Sequence, residues 1–240
     1  MRQLQTVKDS VTVLKKPNGQ LTSDNQQAAD VLANYYGEMF TREDTAGISY
    51  QDEIEQSAWE DTDVYLSTDA VLQKLRNLKD DKSPGPDSIH PMLLKSCAGA
   101  VAEPLSCIFK ASFESGVIPQ DWKTASVVPI FKKGSRTDAA NYRPVSLTSI
   151  PCKIMESLIK ASMSSFLEEN KTITDRQHGF MKNRSCLTNL LECFENWTQA
   201  LDEGFEVDVV YLDYRKAFDS VPILRLIEKL KTYGLKGKVL

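Results

Sequence analysis

The residue pattern predicts an α+β fold, and three observations lead there. Several stretches carry apolar residues at helical spacing. Two short runs are apolar and β-rich and are bounded by turn residues. The two kinds are mixed without the regular spacing of a β–α–β series. Composition agrees: of 240 residues, 41% are hydrophobic and 26% charged, ordinary usage for a globular chain. A disordered, collagen-like or low-complexity chain is excluded. No run of about 18 apolar residues occurs, so no membrane span is expected. The opening MRQLQTVKDS lacks the apolar core of a signal peptide, and a cytoplasmic or nuclear location is the expectation.

The elements follow in order. After the turn PNG, Ser23 with Gln26 three residues on has the pattern of a capping box. Ala28, Val31, Leu32, Tyr35, Tyr36, Met39 and Phe40 then mark one helical face. Residues 41–65 are polar and acidic and read as linker. A second helix starts near Ser67, with Val71, Leu72, Leu75 and Leu78 on one side. DDKSPGPDS cannot be helix or central strand, because two prolines and a glycine punctuate it. A long helix is expected from His90 or Pro91 to Glu114, stopping at Gly116. ASVVPIF reads as a strand that Pro129 confines to an edge or bulge. A basic loop, KKGSRTDAANYRPVSL, comes next. Ile154, Met155, Leu158, Ile159, Met163, Phe166 and Leu167 mark another helix. Leu187, Leu190, Leu191, Phe194, Trp197 and Leu201 mark one more, closed by Gly204. Residues 207–213 (VDVVYLD) read as a strand ending in a carboxylate, and 223–233 as a final helix before Gly234.

Charge and cysteines narrow the function. Residues 1–70 carry a net charge of −8, whereas 122–190 carry +6. A basic stretch inside an acidic chain points weakly to a polyanionic partner. Cys97, Cys107, Cys152, Cys186 and Cys193 are odd in number and scattered, so neither a disulfide partner nor a zinc site is expected. The two histidines, His90 and His178, stand far apart, and His178 reads as structural.

The chemistry concentrates in VVYLDYRKAFDSVP. An acid at the end of a buried strand is costly unless something stabilises its charge. For Asp213 a divalent cation is the simplest candidate, since Mg²⁺ takes one or two carboxylates together with substrate phosphates. The alternative is a surface acid capping the following turn.

The arrangement D-x-x-x-A-F-D after a strand resembles the first catalytic motif of reverse transcriptases, and LDYRKAFDSV is similar to its form in non-LTR retrotransposons. The likeness continues in order through DDKSPGPDSIHPMLLK, DWKTASVVPIFKKG, NYRPVSLTSIPCKIMESLI and QHGFMKNRSCLTNLL. The wording is closest to Jockey-like, chicken-repeat-like LINE elements. GQLTSDNQQAADVLANYYGEMF resembles the tract that precedes the polymerase in such elements.

The resemblance implies an α+β fold with the fingers and first part of the palm of a right-hand polymerase, the palm incomplete. The implied divisions are a helical acidic linker over 1–65, fingers over 66–170 and the start of the palm over 171–240. Asp213 becomes a catalytic, metal-binding carboxylate, helped by the carbonyl of Tyr214. Phe218, beside Ala217, becomes the steric gate against a 2′-hydroxyl; packing in a core is its plainer role. Arg143 becomes the residue that grips the incoming triphosphate, its planar fork suiting phosphate oxygens. Its companion is Lys132 or Lys133, between which the resemblance does not choose. Gly179, Phe180 and Arg184 line the template–primer path. The implied cofactor is Mg²⁺, and the implied partners are an RNA template, a DNA primer and deoxynucleoside triphosphates, with no membrane.

The family's two-metal phosphoryl transfer needs three carboxylates. No aromatic-x-Asp-Asp motif occurs in these 240 residues; the one Asp-Asp pair, Asp80–Asp81, lies in a turn context. The expectation is therefore a fragment of an RNA-directed DNA polymerase that is inactive alone. The competing reading is a non-catalytic nucleic-acid-binding remnant of a retroelement. Ser88 stands where relatives often carry a second glycine, which puts that turn under strain.

Overall fold

Seven α-helices and a two-stranded antiparallel sheet are formed by the residues described in the computed structural model, which are 11, 13–39, 59, 64–214 and 220–240. The helices are α1 (Asn25–Gly37), α2 (Thr68–Arg76), α3 (Pro91–Ser96), α4 (Ala98–Ser115), α5 (Ile150–Glu169), α6 (Cys186–Asp202) and α7 (Ile223–Thr232). The strands are β1 (Ser126–Phe131) and β2 (Tyr142–Leu147).

The main core is helical. Val71 and Leu75 on α2 lie one turn apart and meet Ala98, Ala102 and Phe109 of α4 and Ile154 and Leu158 of α5. The alanines let α2 approach α4 closely. Ser106 faces this interior but donates its hydroxyl to the Leu66 carbonyl at 2.6 Å, so that buried hydroxyl is satisfied. Phe109, fully buried, meets Trp122 edge to face at 5.7 Å.

The ends of the helices follow local chemistry, with two departures from expectation. Asp24, not Ser23, caps α1, accepting the Gln27 N–H at 2.8 Å. Gln27 reaches back to the Ser23 N–H, so the reciprocal pair has shifted by one residue. The single helix expected from 90 to 114 is two. The chain turns at Cys97 (φ −97°, ψ 13°), and both halves touch α2. His90 caps the first through Nδ1, Pro91 opens it, and Gly116 in the left-handed region ends the second. Ser88 adopts φ +57°, a left-handed turn that costs a non-glycine residue about 1–2 kcal/mol. The strain expected at that position is present.

The strand β1 forms as expected, but its partner lies within the stretch read as a loop. Pro129 faces Pro144 in the register. The Lys132 N–H donates to the Asn141 carbonyl at 2.8 Å. Hydrogen-bonded pairs therefore fall at 132/141, 130/143 and 128/145. The proline pair occupies a position that needs no N–H, so two prolines are accommodated without a lost ladder bond.

The other strand expectation fails. Residues 207–213 are irregular, and Val210, Tyr211 and Leu212 are more than three quarters exposed. Strand conformation is stable only through pairing, and among the described residues no strand runs beside this segment.

Candidate nucleic-acid interface

The β1–β2 hairpin is a built object rather than a loose loop. Gly134 (φ +90°) turns the chain against Asn141, whose amide would stand 2.6 Å from any Cβ at that glycine. Asn141 donates to the Ser135 carbonyl at 2.9 Å, and the Asp138 carboxylate accepts the Ala140 N–H at 2.9 Å. Tyr142, buried, donates its hydroxyl to the Arg136 carbonyl at 2.7 Å. The Arg136 guanidinium lies 4.5 Å above the Phe131 ring.

The hairpin also rests on the N-terminal segment. Leu14, Ala28 and Leu32 bury themselves against Ala139 and Tyr142. The Lys15 N–H donates to the Thr137 carbonyl at 2.7 Å. A cavity of about 570 Å³ opens between these parts, with Lys15, Lys16, Tyr35, Ser135 and Asp138 on its walls.

Two of the sequence-predicted cations lie at the tip of this hairpin and a third on its returning strand. Lys132 and Lys133 follow β1 directly, and Arg143 is the second residue of β2; all three are exposed. Arg143 pairs with Ile130, and Lys132 with Asn141. Alternation along a strand puts residues 130, 132, 141 and 143 on one face, with Tyr142 on the other. The core thus holds one face of β2 while Arg143 is left in solvent.

Gly179, Phe180 and Arg184 occupy a second exposed stretch, between α5 and α6. Phe180 and Asn183 both adopt positive φ, at +61° and +60°. Behind them His178 is buried, 7% exposed, with Nε2 2.7 Å from a Glu192 carboxylate oxygen and Nδ1 2.9 Å from the Thr188 hydroxyl. The structural reading of His178 holds, but its partners were not legible. The one sequence signal was S-x-x-T at 185–188, a capping box that begins α6.

Asp213 and Tyr214 are exposed on the irregular segment before α7. Ala217 and Phe218 lie outside the described residues. Asp80 forms an ion pair with Lys95 at 3.0 Å, a surface role. Among the described residues no three His, Cys, Asp or Glu side chains come together as a metal site. An exposed single carboxylate does not by itself fit Mg²⁺, which needs a defined set of oxygens.

Among the described residues no helix is long and apolar enough to cross a membrane. All five cysteines are free thiols. Burial, with Glu156 beside it, pushes the Cys152 thiol up to about 12. Burial likewise raises the Tyr36 phenol to about 12.

Comparison with known proteins adds what the geometry leaves open. Residues 130–240 match the family described as reverse transcriptase (RNA-dependent DNA polymerase). The chain is 26% identical over 226 residues to the probable RNA-directed DNA polymerase from transposon BS of Drosophila melanogaster, covering 91% of this chain and 25% of that protein. It is 27% identical over 226 residues to the RNA-directed DNA polymerase from mobile element jockey of the same fly, covering 92% and 25%. The probable RNA-directed DNA polymerase from transposon X-element is 26% identical, covering 89% and 24%. The chain thus spans about a quarter of the length of these curated relatives.

Proposed function

We propose that this chain, which is similar over most of its length to the RNA-directed DNA polymerases of non-LTR retrotransposons, forms the fingers and the opening of the palm of such a polymerase. Its ligands in that role are an RNA template, a DNA primer and deoxynucleoside triphosphates. One observation carries the reading. Within the matched region, a braced hairpin presents Arg143 and Lys132 on a single exposed face. Two cations there suit the oxygens of a triphosphate. The register favours Lys132 over Lys133, since Lys133 falls out of step with Arg143.

Asp213 and the carbonyl of Tyr214 keep their assignment to Mg²⁺ on the resemblance alone, because the described residues do not assemble a site for the ion. Ala217 and Phe218 keep theirs, to the sugar of the incoming nucleotide, on the same ground. These 240 residues contain one of the three carboxylates that the family's reaction needs. Primer extension is therefore expected to be absent from this polypeptide alone.

The experiment is direct. A labelled single-stranded RNA is titrated with the chain at 50 and 200 mM salt, and a primed RNA is incubated with the chain, Mg²⁺ and all four deoxynucleoside triphosphates. Binding should weaken steeply with salt, with a slope of about 0.7 per phosphate contacted. A flat salt response overturns the nucleic-acid reading, and primer extension overturns the expected inactivity.

A further inference from the structure

Before α6, residues 178–185 are pinned at both ends by one hydroxyl. At its start, His178 meets the Thr188 hydroxyl at 2.9 Å and Glu192 at 2.7 Å. At its end, the Ser185 N–H donates to that same Thr188 oxygen at 2.9 Å. Glu192, as a carboxylate, can only accept, so Nε2 carries a proton. With the imidazole neutral, Nδ1 accepts the Thr188 hydroxyl proton. With the imidazole charged, Nδ1 donates to Thr188, whose proton turns to the Ser185 carbonyl, also 2.9 Å away. Both states leave every buried group satisfied, so the clamp stays closed in either.

Between the pins the chain is forced outward. Phe180 and Asn183 sit in the left-handed region, which costs non-glycine residues energy and persists only where the surroundings impose it. Phe180 is 88% exposed, and Lys182 and Arg184 are exposed beside it. An adjoining cavity of about 610 Å³ is lined by Lys171, Lys182 and Arg184 and also by the acids Glu168 and Asp175. An exposed ring flanked by cations is the chemistry that holds single strands: bases stack on the ring and phosphates meet the charges.

We propose that His178 is a positioning residue. Through Thr188 and Glu192 it holds residues 179–184 as a preformed grip for single-stranded nucleic acid, with Phe180 as the stacking surface and Lys182 and Arg184 as phosphate contacts. The ligand class rests on the polymerase reading above; the clamp rests on the hydrogen bonds.

The test uses the 240-residue chain and a labelled single-stranded RNA, followed by fluorescence anisotropy. Phe180→Leu, which removes the stacking face, should weaken binding about tenfold. Thr188→Val, which removes the shared hydroxyl at constant shape, should weaken it comparably, and Thr188→Ser should restore it. Glu192→Leu provides a second break at a position half-open to solvent, with Glu192→Gln as its conservative control. Hydrogen exchange of amides 179–185 should quicken in Thr188→Val and Glu192→Leu but not in the two controls. Wild-type affinity in Thr188→Val and Glu192→Leu, with loss in Phe180→Leu, overturns the clamp while leaving the polymerase reading intact. Salt-insensitive or absent binding by the unmodified chain overturns both.

Discussion

Gly85 has no room for a side chain. A Cβ there would lie 2.6 Å from the Ser149 nitrogen and from the Thr148 carbonyl group. Backbone atoms cannot swing aside, so the SPGPD turn and the joint between β2 and α5 must move apart to admit a methyl group. Gly85→Ala is expected to cost about 1–3 kcal/mol, read from the urea midpoint at unchanged slope. A second expectation concerns protons. Cys152 and Tyr36 have folded pKa values near 12, against ordinary values of 9.0 and 10.0. Above pH 9 the unfolded chain ionises these groups first, so stability present at neutral pH is lost as pH rises from about 9 towards 12. Thermal melts across that window should show the decline. For the same reason a thiol reagent at neutral pH should label exposed Cys97, Cys107 and Cys186 well before Cys152. The cysteine pattern made free thiols readable from the chain alone. Which thiol is silenced was not readable, because that depends on the tertiary fold.

At the scale of the element, the helices were legible wherever one stripe of apolar residues repeats at helical spacing. The break at Cys97 was not, since nothing in KSCAGA interrupts that spacing. The strands show the limit more sharply. A strand is a relation between two segments, so ASVVPIF could be recognised only as strand-like. YRPVSL, with its proline, looked like loop until Pro144 met Pro129 in register. The converse is VDVVYLD, whose composition favours a strand but which lacks a partner among the described residues. The site follows the same rule. Arg143 was visible as a residue type, whereas its shared face with Lys132 depends on pairing. The hairpin is expected to depend on the buried Leu14 that braces it. Leu14→Ala should remove about 2–5 kcal/mol from that local core. Hydrogen exchange should quicken across residues 132–147 and stay unchanged in α4; uniform exchange would show that the brace is dispensable.

At the scale of the whole molecule, apolar exposure is uneven. Leu187, Leu190, Leu191 and Phe194 on α6 and Ile223 and Leu224 on α7 are all exposed, as are Val210 to Leu212 between those helices. On α6 the four fall at helical spacing on one face, and an apolar helix face left open to solvent drives association. Sedimentation should show self-association that grows with concentration. Leu190→Lys together with Phe194→Lys should reduce it, and a monodisperse wild-type chain would contradict the expectation.

Trp59 lies edge to face with Phe166 at 5.4 Å, its backbone N–H donates to the Gly234 carbonyl at 3.2 Å, and Leu235 closes the cluster at zero exposure. Partners this remote along the chain place a timing constraint on biosynthesis. The far end of α5 emerges from the ribosome with at most Trp59 to cover its ring, and the cluster stays open until residue 235 has followed it. Domains dominated by such late-closing contacts fold slowly, and in that interval chaperones have their opportunity.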